Sequence, residues 1–170
     1  GVAFDLEGPT FRHERFADYK AHRPPVPDDL LAQFPLVKQV CEGFRIPLLE
    51  LAGYEADDLI ATYTRLALEA GYRVVVVASD KDLLQLVGPG VTVLNPSKEI
   101  RLDAAGVFEH FGAVPARVRD VLGLMGDAVD NIPGVPGVGE KTALALVKTC
   151  GDIEAIIARS SRFVVAFEAR

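Results

Sequence analysis

Six carboxylates stand just after apolar, strand-like runs: Asp5 after residues 2–4, Glu55, Asp57 and Asp58 after residues 47–51, and Asp80 and Asp82 after residues 73–78. Open parallel sheets place ligands at the carboxyl ends of their strands, so parallel neighbours would bring all of these acids to one edge. Such crowding is costly, since two carboxylates ~4 Å apart repel by about 4 kcal/mol at an effective dielectric of about 20. A divalent cation reverses the sign, and hard oxygen ligands suit Mg2+ or Mn2+ rather than zinc. The chemistry that fits this many acids is a pair of ions sharing an in-line phosphoryl displacement, one making hydroxide and both stabilising charge on phosphate. Each acid taken singly also suits the first turn of a helix, and Ser79-Asp80-Lys81-Asp82 reads as a capping box, which makes Asp82 the weakest of the six. Three successive strand ends carrying acids are harder to explain by capping. Within the second group, Glu55 and Asp58 share a helical face, and Asp57 points about 100° away from Asp58.

A further pair, Asp127 and Asp130, lies in Gly126-Asp-Ala-Val-Asp-Asn131, where a helical turn would set both on one side and bring the candidate cluster to eight. The plain alternative is a solvated helix end. Immediately after it, residues 132–142 read IPGVPGVGEKT. Gly134, Gly137 and Gly139 allow a tight turn running, with Val138 between them, into a helix that starts at Glu140 or Lys141 and continues through Thr142. Open backbone N–H groups backed by the helix dipole make an anion site there. Glu140 interrupts the Gly-Lys-Thr order of a Walker loop, and no strand precedes it. Proline and glycine between two helices look instead like a helix-hairpin-helix, which holds a nucleic-acid backbone without reading bases. An ordinary helix–helix turn is the competing reading. Lys141, Lys148, Arg117 and Arg119 could supply charge nearby.

Residues 11–23, FRHERFADYKAHR, carry four Lys/Arg, two His and two acids. The interleaved Phe11, Phe16 and Tyr19 suit stacking on bases or sugars. A solvated helix with a hydrophobic underside fits the composition equally. His13 and His22 read as surface residues rather than ligands.

The elements that must position these groups follow from periodicity. Residues 1–4 form the end of a buried strand, and Asp28-Asp29 opens a helix towards Phe44 in which Pro35 forces a kink or a late start. Residues 47–51 form a short strand. Residues 55–70 follow a helical pattern stopped by Gly71. Residues 73–78 are the clearest buried strand, followed by a short helix at 82–87 and a strand at 91–94. From Asp103 onward the pattern is helical only, with helices at 103–111, 115–125, 141–150 and 152–159 and no clear signal from Ser160 to Arg170. Strands alternating with helices, then helices alone, give an α/β parallel sheet with an appended helical module and a seam near Leu102.

Length and charge bound the rest. The 170 residues hold one domain and at most a small appendage, and 49% hydrophobic content supports a real core. No apolar run approaches the roughly 20 residues of a membrane span. Cys41 and Cys150 lie far apart without CxxC spacing, which fits a reducing, cytoplasmic setting and argues against a zinc site or disulfide scaffold. A net charge of −6 argues on its face against nucleic acid. With eight of the 24 acids gathered in one metal site, however, the 18 bases outnumber the acids that remain.

In order along the chain, VAFD, FRHE with DYKAHR, GYEADD, ASDKD, GDAVDNIPG and GVGEKTA resemble the 5′-nuclease superfamily, and within it the 5′→3′ exonuclease domain of bacterial DNA polymerase I. The resemblance runs from Val2 to about Ala143, and the combination of GYEADD, GDxxDN and the hairpin is highly specific. It implies a PIN-like (resolvase-like) α/β nuclease core over residues 1–102, with a helical arch at about 11–27. A helical DNA-binding helix–three-turn–helix (helix-hairpin-helix) module would occupy residues 103–170. It implies a Mg2+- or Mn2+-dependent enzyme, with two ions, that cleaves DNA phosphodiesters near 5′ ends, flaps, nicks and branch junctions in replication and repair. A polymerase in the same or another chain is the implied partner, a bacterial cytoplasm with its nucleoid the implied setting. The family's metal-binding carboxylates map onto Asp5, Glu55, Asp57, Asp58, Asp80, Asp82, Asp127 and Asp130. Lys20 and Arg23 would approach the scissile phosphate from the arch, joined by Arg12 and Tyr19 in contacting DNA. Gly134, Gly137, Val138, Gly139, Lys141 and Thr142 would hold the downstream backbone, in some members through K+.

Two departures accompany the resemblance. The family begins with a central strand bearing another catalytic Asp, and this chain is expected to start after it. Ala128 stands between the paired aspartates, where an acid is common. On this basis Asp5, Glu55, Asp57 and Asp80 are expected to serve the catalytic metal, with Asp58, Asp82, Asp127 and Asp130 serving a second metal or its water shell. A catalytically reduced nucleic-acid-binding remnant is the chief alternative. An RNA-directed relative is disfavoured by the hairpin and the arch pattern, and a small-molecule phosphatase leaves the hairpin unexplained.

Overall fold

The computed structural model describes residues 1–168. In chain order, β1 (Val2–Ala3) leads into α1 (Phe11–Arg15), α2 (Asp28–Leu31), α3 (Phe34–Gly43), β2 (Leu48–Leu49) and α4 (Ala56–Glu69). Then follow β3 (Val74–Val77), a 3-10 turn (Lys81–Leu86), β4 (Val91–Asn95), β5 (Ile100–Leu102), α5 (Ala104–Phe111) and α6 (Pro115–Met125). The chain ends in β6 (Gly126–Asp127), β7 (Ile132–Pro133), α7 (Glu140–Cys150) and α8 (Ile153–Glu168). The expected break before α3 is present, with Pro35 in its first turn, where a missing N–H costs no hydrogen bond.

The strands do not form one continuous parallel sheet. β1 pairs in parallel with β2, while β3 pairs in parallel with β4, which pairs antiparallel with the three-residue β5. Both pieces pack on α4. Between them runs a cleft of 520 Å³ walled by β1 and β3 and floored by Ile60, Tyr63 and Thr64 of α4. Val2 and Phe4 donate to β2, and Val74 and Ala78 bond the β4 side. By strand alternation, Ala3 on one wall and Val75 and Val77 on the other turn their backbone groups towards the cleft.

The main core packs Val76, Val91 and Val93 of the sheet against Leu83, Leu84 and Val87 after β3, and against Val107 of α5 and Val118 of α6. A second core unites Val121 and Leu124 of α6 with Ala143 and Val147 of α7. α6 therefore serves both, and what it carries at its C-terminal end is fixed relative to the sheet.

That end departs from the expected all-helical tail. After Met125 the chain makes a small antiparallel hairpin, Gly126 opposite Pro133 and Asp127 opposite Ile132. A Cβ built on Gly126 would lie 2.3 Å from the Gly134 nitrogen, and one on Gly134 would lie 2.3 Å from the Met125 carbonyl carbon. Two backbones this close admit only glycine at both positions. α8 continues past the expected end at 159 to Glu168. Among the described residues no helix is long and apolar enough to cross a membrane.

Candidate active site

Three chain reversals deliver the acids. Asp5 follows β1 and its Oδ1 accepts from the Ala56 amide at 2.6 Å, tying the first strand end to the start of α4. Glu55 is the N-cap of α4 and forms a reciprocal capping box with Asp58, whose Oδ2 accepts from the Glu55 amide at 3.0 Å. Asp80 caps the turn after β3 by accepting from the Asp82 amide at 2.9 Å. Capping and clustering therefore coexist in the same residues. A polar cavity of 350 Å³ is lined by seven of the eight predicted carboxylates, namely Asp5, Glu55, Asp57, Asp58, Asp80, Asp82 and Asp130, together with Arg12, Tyr19, Lys20 and Arg23. Asp127 lies off this cavity.

Charge divides the acids into two sets. Arg12 grips Asp58 bidentately at 2.7 and 2.8 Å and reaches Glu55 at 3.7 Å. Lys20 Nζ donates to Glu55 at 2.7 Å, Arg23 to Asp130 at 2.5 Å, and Lys81 pairs with Asp127 at 2.9 Å. The Arg12 hydrogen bonds hold Asp58 below the usual carboxylate range, and Lys81 does the same for Asp127. Tyr19 Oη lies 3.0 Å from Glu55 and 3.2 Å from Asp130. Burial, followed by those two charges, raises its pKa above the ordinary tyrosine value.

Asp5, Asp57, Asp80 and Asp82 take part in no ion pair among the described residues. Burial, reinforced by Asp80 and Asp5, pushes Asp57 up to about 6. Asp82 is also pushed up to about 6, by burial and Asp80 against the relief given by Lys81. Asp82 Oδ1 is buried without a hydrogen-bond partner among the described residues. As the side chains stand, no three of them among the described residues meet at one metal position. The set nonetheless forms no ion pair among the described residues, and its donors are all hard carboxylate oxygens, so its chemistry fits a Mg2+-type cation.

Ion pairing groups Asp82 with Asp5, Asp57 and Asp80, and pairs Glu55 with Lys20. Asp127 and Asp130 sit on a hairpin turn instead of a helix, with Asp127 Oδ1 accepting the amides of Val129 and Asp130 at 2.8 and 3.2 Å. Tyr19 is 5% exposed, so its ring is covered and not open for stacking. Only residues 11–15 of the basic stretch are helical; residues 16–23 turn back onto the carboxylates. Gly134 is consumed by its contact with Met125 and Gly126. Gly137 lies at φ 77° after Pro136, as a type II turn requires, and Gly139 caps α7, so the exposed turn leads into Lys141 and Thr142 as expected. Sequence reasoning gave no role to Lys81, although a lysine between two clustered aspartates is itself a charge signal.

The family model for the 5′-3′ exonuclease N-terminal resolvase-like domain matches residues 1–112, and that for the 5′-3′ exonuclease C-terminal SAM fold matches 113–167. DNA polymerase I of Pseudomonas aeruginosa is 51% identical over 150 residues, covering 88% of this chain and 16% of that protein. A 5′-3′ exonuclease of Aquifex aeolicus is 43% identical over 162 residues, covering 95% of this chain and 56% of its own length. The chain thus spans about a sixth of the polymerase and just over half of the exonuclease. Among solved structures, T5 5′-exonuclease with bound zinc superposes with a TM-score of 0.81 at 24% identity, over 93% of this chain and 62% of that one. The bacteriophage T5 flap endonuclease, in a pseudo-enzyme-product complex with DNA and metal ions, gives 0.80 at 23% identity, over 92% and 62%. These likenesses establish the fold, an α/β resolvase-like core followed by a helical SAM fold. With both domain models matched in order over nearly the whole chain, it belongs to the 5′-3′ exonuclease family.

Proposed function

We propose that this chain hydrolyses DNA phosphodiesters as a divalent-metal-dependent 5′→3′ exonuclease and flap endonuclease, acting at 5′ flaps, nicks and branched duplexes in replication and repair. The observation that carries the reading is a cavity lined both by four carboxylates that form no ion pair among the described residues and by Lys20 and Arg23. Asp5, Asp57, Asp80 and Asp82 would hold Mg2+ or Mn2+, and Glu55, Asp58, Asp127 and Asp130 would serve a second ion or its water shell. When bound, the ions supply an activated water and charge stabilisation at the attacked phosphate.

The chain's own groups do the positioning. Lys20 and Arg23 are side chains of the turn segment that covers the cavity, and they would exchange their carboxylate partners for a phosphate. Arg12 holds Asp58 and so fixes the first turn of α4, from which Asp57 projects. Gly137, Val138, Gly139, Lys141 and Thr142 would hold the downstream duplex backbone at the N-terminus of α7, with K+ as the candidate bridging ion. In this reading residues 1–102 carry the chemistry and residues 103–170 grip the duplex. Since the relatives include DNA polymerase I, a polymerase is the proposed partner and the bacterial cytoplasm, at the nucleoid, the proposed setting.

A second reading is a binding remnant without catalysis. One experiment separates them: a 5′-labelled DNA flap is incubated with the chain in Mg2+ and in EDTA, beside Asp80→Asn. Metal-dependent cleavage lost in the variant supports the nuclease. Salt-sensitive binding without cleavage selects the remnant.

A further inference from the structure

We propose that Asn131 is a positioning residue that sets Lys20 over the carboxylates. The proposal rests on the nuclease reading for its kinetic consequences, although the contact itself does not depend on it. The basic segment meets the hairpin turn through two rungs. The Lys20 amide donates to the Asp130 carbonyl at 2.9 Å, and the Asn131 side-chain Nδ2 donates to the Asp18 carbonyl at 2.7 Å. The second rung is made by a side chain because the chain reverses at Asn131, which lies at φ 55°. Lys20 also lies in the left-handed region, at φ 56°. A lysine there is sterically disfavoured and persists only where its surroundings fix it.

The consequence falls on the residue between the rungs and the one that closes them. Tyr19 is turned inward with its hydroxyl between Glu55 and Asp130, and the Lys20 ammonium is laid on Glu55. Released from Asn131, the Asp18 carbonyl loses its donor and Lys20 can return to ordinary backbone space, carrying its ammonium away from the cavity. Asparagine suits both demands, since it tolerates the left-handed region and offers a donor. Glycine meets only the backbone demand. Aspartate tolerates the conformation but, when ionised, only accepts, so it would repel the Asp18 carbonyl.

The test uses Asn131→Gly and Asn131→Asp in the whole chain. In the metal-free protein, amide exchange of Lys20 is expected to quicken about tenfold or more in both variants, while Val76 and Val93 keep their protection and so report an intact core. In flap cleavage, Asn131→Gly is expected to lower kcat about tenfold with KM within about twofold. In a Lys20→Ala background it should cost nothing further, because it acts through Lys20. Unchanged exchange at Lys20, or a full loss persisting in the Lys20→Ala background, overturns the proposal. If the parent chain cleaves nothing, the nuclease reading falls and the exchange measurement still decides the role of Asn131.

Discussion

Lys20 Nζ lies 2.7 Å from Glu55 Oε1, and Glu55 is only 8% exposed. A residue expected to meet substrate phosphate is thus the direct counter-ion of a residue expected to bind metal. Arg23 stands to Asp130, and Arg12 to Asp58, in the same relation. The segment from Arg12 to Arg23 supplies the cations for Glu55, Asp58 and Asp130, Lys81 supplies the one for Asp127, and the other four acids form no ion pair among the described residues.

Replacing Lys20 tests which side of this relation matters for turnover. Lys20→Ala is expected to lower kcat on the order of a hundredfold, the scale of losing one charge-stabilising donor. Duplex affinity should stay within about twofold, since Arg12 and Tyr19 still partner Glu55 and the fold is retained. Single-turnover cleavage and equilibrium binding on the same flap read the two quantities. Equal losses in rate and affinity would make Lys20 a backbone anchor instead.

The unpaired half predicts an unusual pH dependence of stability. Asp57 and Asp82 are raised to about 6 from an unfolded value near 3.9, so between those values the folded state binds more protons than the unfolded one. Stability must fall as pH rises through that window. Asp58 and Asp127 are shifted the other way, and their contribution, present above about pH 4, is lost on further acidification. In EDTA the melting temperature should therefore drop between pH 4.5 and 7 by about 2–4 °C, taking about 1 kcal/mol after discounting for solvent screening. Mg2+ should reverse the drop at pH 7 and do little at pH 4.5. Asp80→Asn removes a neighbour from both groups, so it should flatten the drop in EDTA while abolishing cleavage. A melting curve whose pH dependence ignores Asp80→Asn would show that these acids do not share a field.

How much of this could be read from the residues depended on range. Asp5, Asp57 and Asp80 were legible because strand ends are marked by the switch from apolar runs to acids, and chain reversals there are local. The divergence of Asp57 from Asp58 by about 100° follows from helical geometry alone. The setting of Asp127 and Asp130 was not legible: the i, i+3 spacing is as good for a helix as for a hairpin. What decides it is the backbone contact between Gly126 and Gly134, which no periodicity reports. Nor did the basic stretch reveal that Tyr19 would turn inward, because its partners, Glu55 and Asp130, lie 36 and 111 residues away. β5 escaped as a three-residue strand whose partner precedes it by one short turn.

The cleft between β1 and β3 supports the last prediction. Val75 and Val77 are 43% and 61% exposed, although they belong to the most apolar strand of the chain. With backbone groups turned inward from both walls, the cleft offers a strand hydrogen-bonding partners on either side. The resemblance implies a central strand ending in a further aspartate, and a strand entering parallel to both walls would set that aspartate at the edge where Asp5 and Asp80 lie. A synthetic apolar strand peptide ending in Val-Asp-Gly, added in trans, is therefore expected to protect the Val75 and Val77 amides and to raise the melting temperature. It should also increase metal-dependent flap cleavage, and the same peptide ending in Val-Asn-Gly should protect those amides equally while giving less cleavage. Unprotected amides at saturating peptide would show that the cleft does not take a strand. Equal cleavage with both peptides would show that the carboxylate at the strand end adds nothing to the four already there.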